Sequence, residues 1–344
     1  MILVKHTDTD TVDGSEFTFE TSSSVETSRR ERLSEFYEEF IYKPGLVAWS
    51  DWRTRIGSLL LVVYILMGTV GAWVWRYPST NQAPRFVPPL QNLNYPLGTT
   101  ATGQDLAALI IHATPDMLIM VTAGGIWATG IALVIGTVAG YKGGSIDRLL
   151  TSASDVAMSI PGLPLIMVLA VVFSPENPIL IGILITINYW AGLGRAIRSQ
   201  VLTIRGNSYV EASRTMGVST TRILTKDIIP NLMPYVLVSF VNAARYVIFA
   251  SVGLYFLGIL PFSTLNWGVT LNLAYTTGGA LYLPSLAYWL IAPMVAIMGL
   301  SLAMILLAQG LDRVFNPRVR TRLAGESTST AEGDEEDTVT GVLT

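Results

Sequence analysis

Six runs of apolar residues alternate with polar segments along the chain. They are Gly57–Trp75, Met117–Gly140, Asp155–Phe173, Pro178–Gly194, Tyr235–Leu257 and Leu286–Leu307. A bilayer-spanning helix needs about 20 mostly apolar residues, so the pattern predicts six spans. The third run holds Pro161, Gly162 and Pro164, which predict a kink. Such breaks are tolerated where neighbouring helices satisfy the freed backbone groups. The fourth run is the shortest and carries Asn188 and Trp190. The first fifty residues are polar and contain no secretory-type apolar core, so the first run is expected as an uncleaved anchor.

Lysine and arginine set the expected orientation. With the N-terminus inside, seven basic residues precede the first run, two lie in the inner loop 141–154, six in the inner loop 195–234 and four in the C-terminal tail. The outer segments hold only Arg76 and Arg85. Both termini are therefore expected in the cytoplasm. Trp49 and Trp52 precede the first run and Trp73 and Trp75 close it, as an interfacial aromatic belt would.

Composition agrees with the pattern. Hydrophobic residues make up 51% and charged residues 14%, against roughly 25% charged in a soluble domain, and mean hydropathy is +0.48. This excludes a disordered chain and argues against a soluble enzyme. The absence of cysteine rules out disulfides, thiolate nucleophiles and Cys-ligated metals. Neither His6, in a polar tail, nor His112, alone in an apolar stretch, points to a catalytic dyad or a metal site, and no metal is expected. A net charge of −3 gives no reason to expect nucleic acid as a partner. Acidic residues crowd both tails, eleven within residues 1–55 and six within 326–337. Salt adaptation and an ordinary solvated tail both account for them.

The inner loop 198–231 is unusual. Ser208 and Glu211 have capping-box spacing and predict the start of a short helix. Gly217 is placed to end that helix in a left-handed turn. Ser219 can cap a second short helix, which Pro230 is expected to end. Val210, Met216, Val218, Ile223 and Leu224 would give the pair an apolar surface outside the membrane. A partner groove and the bilayer surface both fit such a surface.

Glu211-Ala212-Ser213, then Gly217, then Ile229-Pro230 resembles the EAA loop of ABC-importer permeases, with Ser213 in place of the second Ala and Ile229 in place of Leu. Further segments are similar to the dipeptide/oligopeptide/nickel branch of that family, its C-type subunit. They are Pro96-Leu97-Gly98-Thr99 with Gly103-Gln104-Asp105, Gly140-Tyr141-Lys142-Gly143-Gly144 with Asp147, Asp155 with Pro161, Phe256-Leu257-Gly258 with Trp267-Gly268, and Asn316-Pro317-Arg318. Thr100, Pro115, Asp227 and Ser251 depart from the family pattern. The resemblance covers about residues 96–318. It implies an all-α polytopic membrane protein with a MetI-like ABC permease core of six transmembrane helices. It implies half of a pore for di- or oligopeptides, with nickel complexes and oligosaccharides as alternative cargoes. The implied partners are two ATP-binding ABC subunits, a homologous B-type permease, an extracellular substrate-binding protein and membrane lipid. ATP and Mg would be bound by the ATPase partners, since no Gly-Lys dipeptide of a phosphate-binding loop occurs here. Glu211, Ala212, Ser213, Gly217, Ile229 and Pro230 would couple this chain to an ATPase.

Within the runs, Arg245 lies about ten residues into the fifth, or roughly 15 Å. A charge at that depth must face a wet or paired site, so it is a candidate pore residue or a structural ion-pair partner. Asn242 and Asn188 could line the pore or bond between helices. Gly124, Gly125, Gly130, Gly136 and Gly140 have the spacing of a close helix contact. Asp155 is expected as a helix N-cap. An ion-driven secondary transporter would call for internal repeats and mid-span acids, which the runs do not show.

The expected organisation is a cytoplasmic tail over 1–55, an anchor over 56–76 and an external loop over 77–116 with an amphipathic helix near Asp105–Ala113. A five-helix core over 117–310 carries the coupling loop 198–231, and an acidic cytoplasmic tail runs over 311–344. The chain is expected in the cell membrane.

Overall fold

The computed structural model describes Trp49 and residues 51–262 and 265–315. The acidic tails and Asn316-Pro317-Arg318 lie outside the described residues. The described chain is helical. Its only extended pairing is an isolated bridge between Thr99 and Asp105.

Four helices are long and apolar enough to cross a membrane: α1 (Trp52–Val74), α2 (Leu106–Lys142), α8 (Thr220–Phe256) and the last, α10 (Ala287–Phe315). Two bent pairs supply the remaining spans. In one, α3 (Gly144–Ser159) meets α4 (Gly162–Phe173) at 80°; in the other, α5 (Pro178–Ile185) meets α6 (Tyr189–Ile204) at 60°. Counting each pair as one span gives the expected six. Between α6 and α8 sits the short α7 (Ser208–Thr215), and α9 (Trp267–Thr276) precedes α10.

The break in the third run falls where the sequence placed it. Ile160 is extended (φ −80°, ψ 121°) and so is Pro161 (φ −61°, ψ 120°). A residue before proline is pushed out of the helical region by the pyrrolidine Cδ, so α3 must stop at Ser159. Upstream the structure differs from the expectation. Residues 144–154 form most of α3 rather than a loop, so Asp155 sits inside a helix and caps nothing. The segment near Asp105–Ala113 is not a separate amphipathic helix but the first turns of α2. Asp105 caps it, accepting from the Ala107 amide at 3.0 Å and the Trp75 indole at 2.9 Å. The helix passes through Pro115, and this brings Asp116 inside a helical segment.

Helix α2 is the spine. A Cβ added at Gly124 would meet the Gly182 carbonyl at 2.6 Å, one at Gly136 the Gly194 carbonyl at 2.6 Å, one at Gly125 the Phe240 ring at 2.7 Å and one at Gly140 the Val201 side chain at 2.8 Å. Hydrogen at these positions lets α5, α6 and α8 lie against α2. Gly130 is the exception, since a Cβ there would meet nothing within 4 Å. On the far side Tyr64 donates to the Ala296 carbonyl at 2.7 Å. The fully buried Trp267 donates to the Ile110 carbonyl at 3.1 Å, joining α9 to α2.

Candidate coupling loop and polar cavity

The loop after α6 turns at Gly206 and Asn207 into α7. Asn207, not Ser208, is the N-cap (φ −72°, ψ 144°), and no side chain bonds to the cap. A capping box needs its acid three residues past the cap. Glu211 is four past Asn207, so the expected box does not form. Glu211 instead lies 3.9 Å from Arg214 in an exposed pair, a contact of little energetic weight.

Gly217 has φ +73° and ends the first helix in the left-handed region. The amide of Val218 reaches back to the Ser213 carbonyl at 3.1 Å, and that of Gly217 to Arg214 at 3.1 Å. This is the glycine-ended helix stop that satisfies the last carbonyls. Ser219 occupies the next N-cap without a side-chain bond.

Pro230 does not end the second helix. Thr220–Ile223 passes into a π-turn over Leu224–Ile228 and then into Ile229–Phe256. The Ile229 amide bonds to Leu224, five residues back. The widened turn takes up a proline that has no N–H to give and whose ring would crowd the carbonyl four residues back. The second helix of the loop is therefore the first turns of a span, and motion of the loop is motion of α8.

The apolar surface expected on this pair is mostly spent inside the chain. Val210, Ile223 and Ile228 are buried with Ile197 and Val201, and Val218 and Leu224 pack against them. Of that set only Met216 stays exposed. Tyr209, Glu211, Ala212 and Gly217 are exposed, Ser213, Ile229 and Pro230 half-buried. Asn231 donates to the Tyr209 hydroxyl at 3.2 Å and the Asp227 carbonyl at 2.7 Å, tying α7 to the base of α8.

Helix α6 presents three faces. Ala191, Gly194, Ile197 and Val201 are buried, with Gly194, Ile197 and Val201 against the α2 glycines. A second face forms a polar seam with the α3–α4 pair. Arg198 clasps Asp147 through two bonds of 2.5 and 2.6 Å, Arg195 pairs with Asp155, and Asn188 donates to the Ile160 carbonyl at 3.3 Å. The third face, with Tyr189, Leu193 and Ala196, joins Tyr235, Ser239 and Asn242 of α8 around a cavity of about 460 Å³. Tyr189 stacks on Tyr246, with ring centroids 4.9 Å apart, and Arg245 precedes Tyr246 on α8.

Of the three polar residues singled out within the runs, Asn242 lines the cavity, half-buried Arg245 lies beside it, and Asn188 bonds between helices. Sequence reasoning passed over Tyr189, Tyr235, Ser239 and Tyr246. The signal was present: 235, 239, 242 and 246 are spaced four, three and four, which puts polar groups on one helix face.

A family of transport proteins described as "Binding-protein-dependent transport system inner membrane component" matches residues 132–321. That stretch contains the loop and both helices of the cavity. The chain belongs to this family. It is a multi-pass membrane permease with a MetI-like core, not an enzyme. Over 241 residues, 67% of this chain and 78% of the relative, it is 29% identical to the oligopeptide transport system permease protein OppC of Bacillus subtilis. Over 245 residues, 67% and 75%, it is 29% identical to the dipeptide transport system permease protein DppC of the same organism. An oligopeptide permease OppC from Haemophilus influenzae is 29% identical over 242 residues.

Proposed function

We propose that this permease is the C-type subunit of an ATP-driven importer of di- or oligopeptides and forms half of its pore. A homologous B-type permease supplies the other half. Two ATP-binding subunits hold ATP and Mg and drive the cycle from the cytoplasm, where both termini of this chain lie. An extracellular binding protein delivers the cargo. The relatives' peptide cargoes and the spacing of Glu211, Gly217 and Pro230 support this reading.

The single observation that carries the coupling step is the continuity of the loop with α8. The exposed side of α7, with Tyr209, Glu211 and Met216, would sit on an ATPase. Ala212 and Ser213 shape that helix, and Gly217 sets its angle to the next. When the ATPases close, a push on α7 passes through the Gly217 turn into Ile229, Pro230 and the wall of α8. No side-chain chemistry is needed at the loop, only stiffness and fit. At the wall, Arg245 and Asn242 would meet the cargo.

Co-purification from native membranes in mild detergent, with mass spectrometry and an ATPase assay, tests this. Two nucleotide-binding chains and a second permease, with ATPase activity raised by peptide, are the expected result. Stimulation by nickel complexes or oligosaccharides alone would replace the cargo. A chain that purifies alone and carries solute without ATP would overturn the reading in favour of an ion-driven carrier.

A further inference from the structure

Hydroxyls inside these spans are usually satisfied by their own helix. Thr114, Thr129, Thr137 and Ser154 each donate to the carbonyl four residues back, at 2.6–2.9 Å. The cavity wall breaks that habit. The side chains of Tyr189, Tyr235, Ser239, Asn242 and Tyr246 have no hydrogen-bond partner among the described residues. Among the described residues Arg245 has neither a hydrogen bond nor an ion pair. Polar groups left open in a membrane chain must meet water, a ligand or a partner chain.

The charge on this wall is one-sided. Helix α6 and the spanning part of α8, Ile229–Phe256, contain no Asp or Glu. The two arginines of α6, Arg195 and Arg198, are neutralised in the seam by Asp155 and Asp147. The cavity is therefore lined by neutral groups, and the unpaired cation Arg245 stands at its edge, three residues past Asn242 on the same helix. We infer that this wall selects cargo by charge: peptides with an acidic side chain pass in preference to those with a basic one, while the phenols, Ser239 and Asn242 accept any peptide backbone. An acidic side chain gains an ionic partner in a half-dry site. A basic one meets a like charge with no acid on α6 or the spanning part of α8 to offset it.

This rests on the peptide-importer reading, and the test separates the two. The assembled transporter in proteoliposomes, with one binding protein throughout, is given Ala-Glu-Ala, Ala-Ala-Ala and Ala-Lys-Ala. The binding protein's own preference cancels when wild type and variants are compared. Wild type should favour the acidic over the basic peptide by about fivefold more than Arg245→Gln does, the ratio one solvent-screened ion pair supports. Arg245→Lys should keep the wild-type ratio. Asn242→Asp, which places a carboxylate three residues from Arg245 on the same helix, should lose the preference without removing the arginine. An acid-to-base ratio equal in wild type, Arg245→Gln and Asn242→Asp overturns the inference while peptide import stands. No ATP-dependent uptake of any of the three peptides by wild type overturns the importer reading itself.

Discussion

Asn188 donates from its side-chain amide to the backbone carbonyl of Ile160 at 3.3 Å, and so joins the two places where spans break. Ile160 is the last residue before the proline that bends α3 from α4. Asn188 closes the bend between α5 and α6. The same amide packs over Gly162, where a Cβ would come to 3.4 Å. One side chain thus holds two bends in register. Asn188→Leu should remove the bond and about 1 kcal/mol with it. It should lower the thermal midpoint of the detergent-solubilised permease while leaving ATPase coupling intact. An unchanged midpoint would show that the bends are held by packing alone.

The ion pairs below that bond predict a rescue. Arg195→Asp leaves Asp155 facing a second acid, and Asp155→Arg leaves Arg195 facing a second cation. Each single change should reduce the amount of folded protein recovered from membranes several-fold. The double exchange should restore most of it, because the reversed pair recreates the contact. Double-mutant coupling near zero, read from the same yields, would count against the pair as a fastener.

Two glycines of one helix should behave oppositely. Gly136→Val puts side-chain atoms where the Gly194 carbonyl already stands 2.6 Å from a Cβ. It should separate α2 from α6 and abolish stable expression. Gly130→Ala meets open space and should stabilise the helix slightly, since alanine has about 1 kcal/mol better helix propensity. Expression level and thermal midpoint of the two variants check this.

The helices and the break at Pro161 were legible because they follow from hydrophobic run length and from proline's fixed geometry. The loop's turn at Gly217 was legible because a left-handed residue after a helix asks for glycine. What sequence could not give was the boundary of α2. Leu106 to Ile110 look like any external apolar segment until the chain shows what they pack against. Pro230 misled because a π-turn is a local compromise, chosen by the need to continue α8 rather than by any residue type. The box at Ser208 failed by one position, which spacing alone does not resolve. The apolar residues of the loop read as a free surface, but Val210 and Ile223 were needed at home, under Val201. The stripe Tyr235, Ser239, Asn242 and Tyr246 was readable from its spacing of four, three and four on one helix face.

Gly217 supplies the last prediction. Its φ of +73° costs a side-chain-bearing residue about 1–2 kcal/mol, yet no atom lies within 4 Å of a Cβ built there. The penalty is one of backbone angle, not of space. Gly217→Ala and Gly217→Val should therefore leave α8 and the bundle folded, with a thermal midpoint near wild type, while the turn relaxes to another angle. If the angle between α7 and α8 is what an ATPase engages, both variants should keep basal ATP hydrolysis in the assembled complex and lose its stimulation by cargo. Gly217→Asn, which tolerates the left-handed region, should recover much of the coupling. Uptake and stimulated hydrolysis equal to wild type in Gly217→Val would show that the turn is a fold feature with no part in transmission.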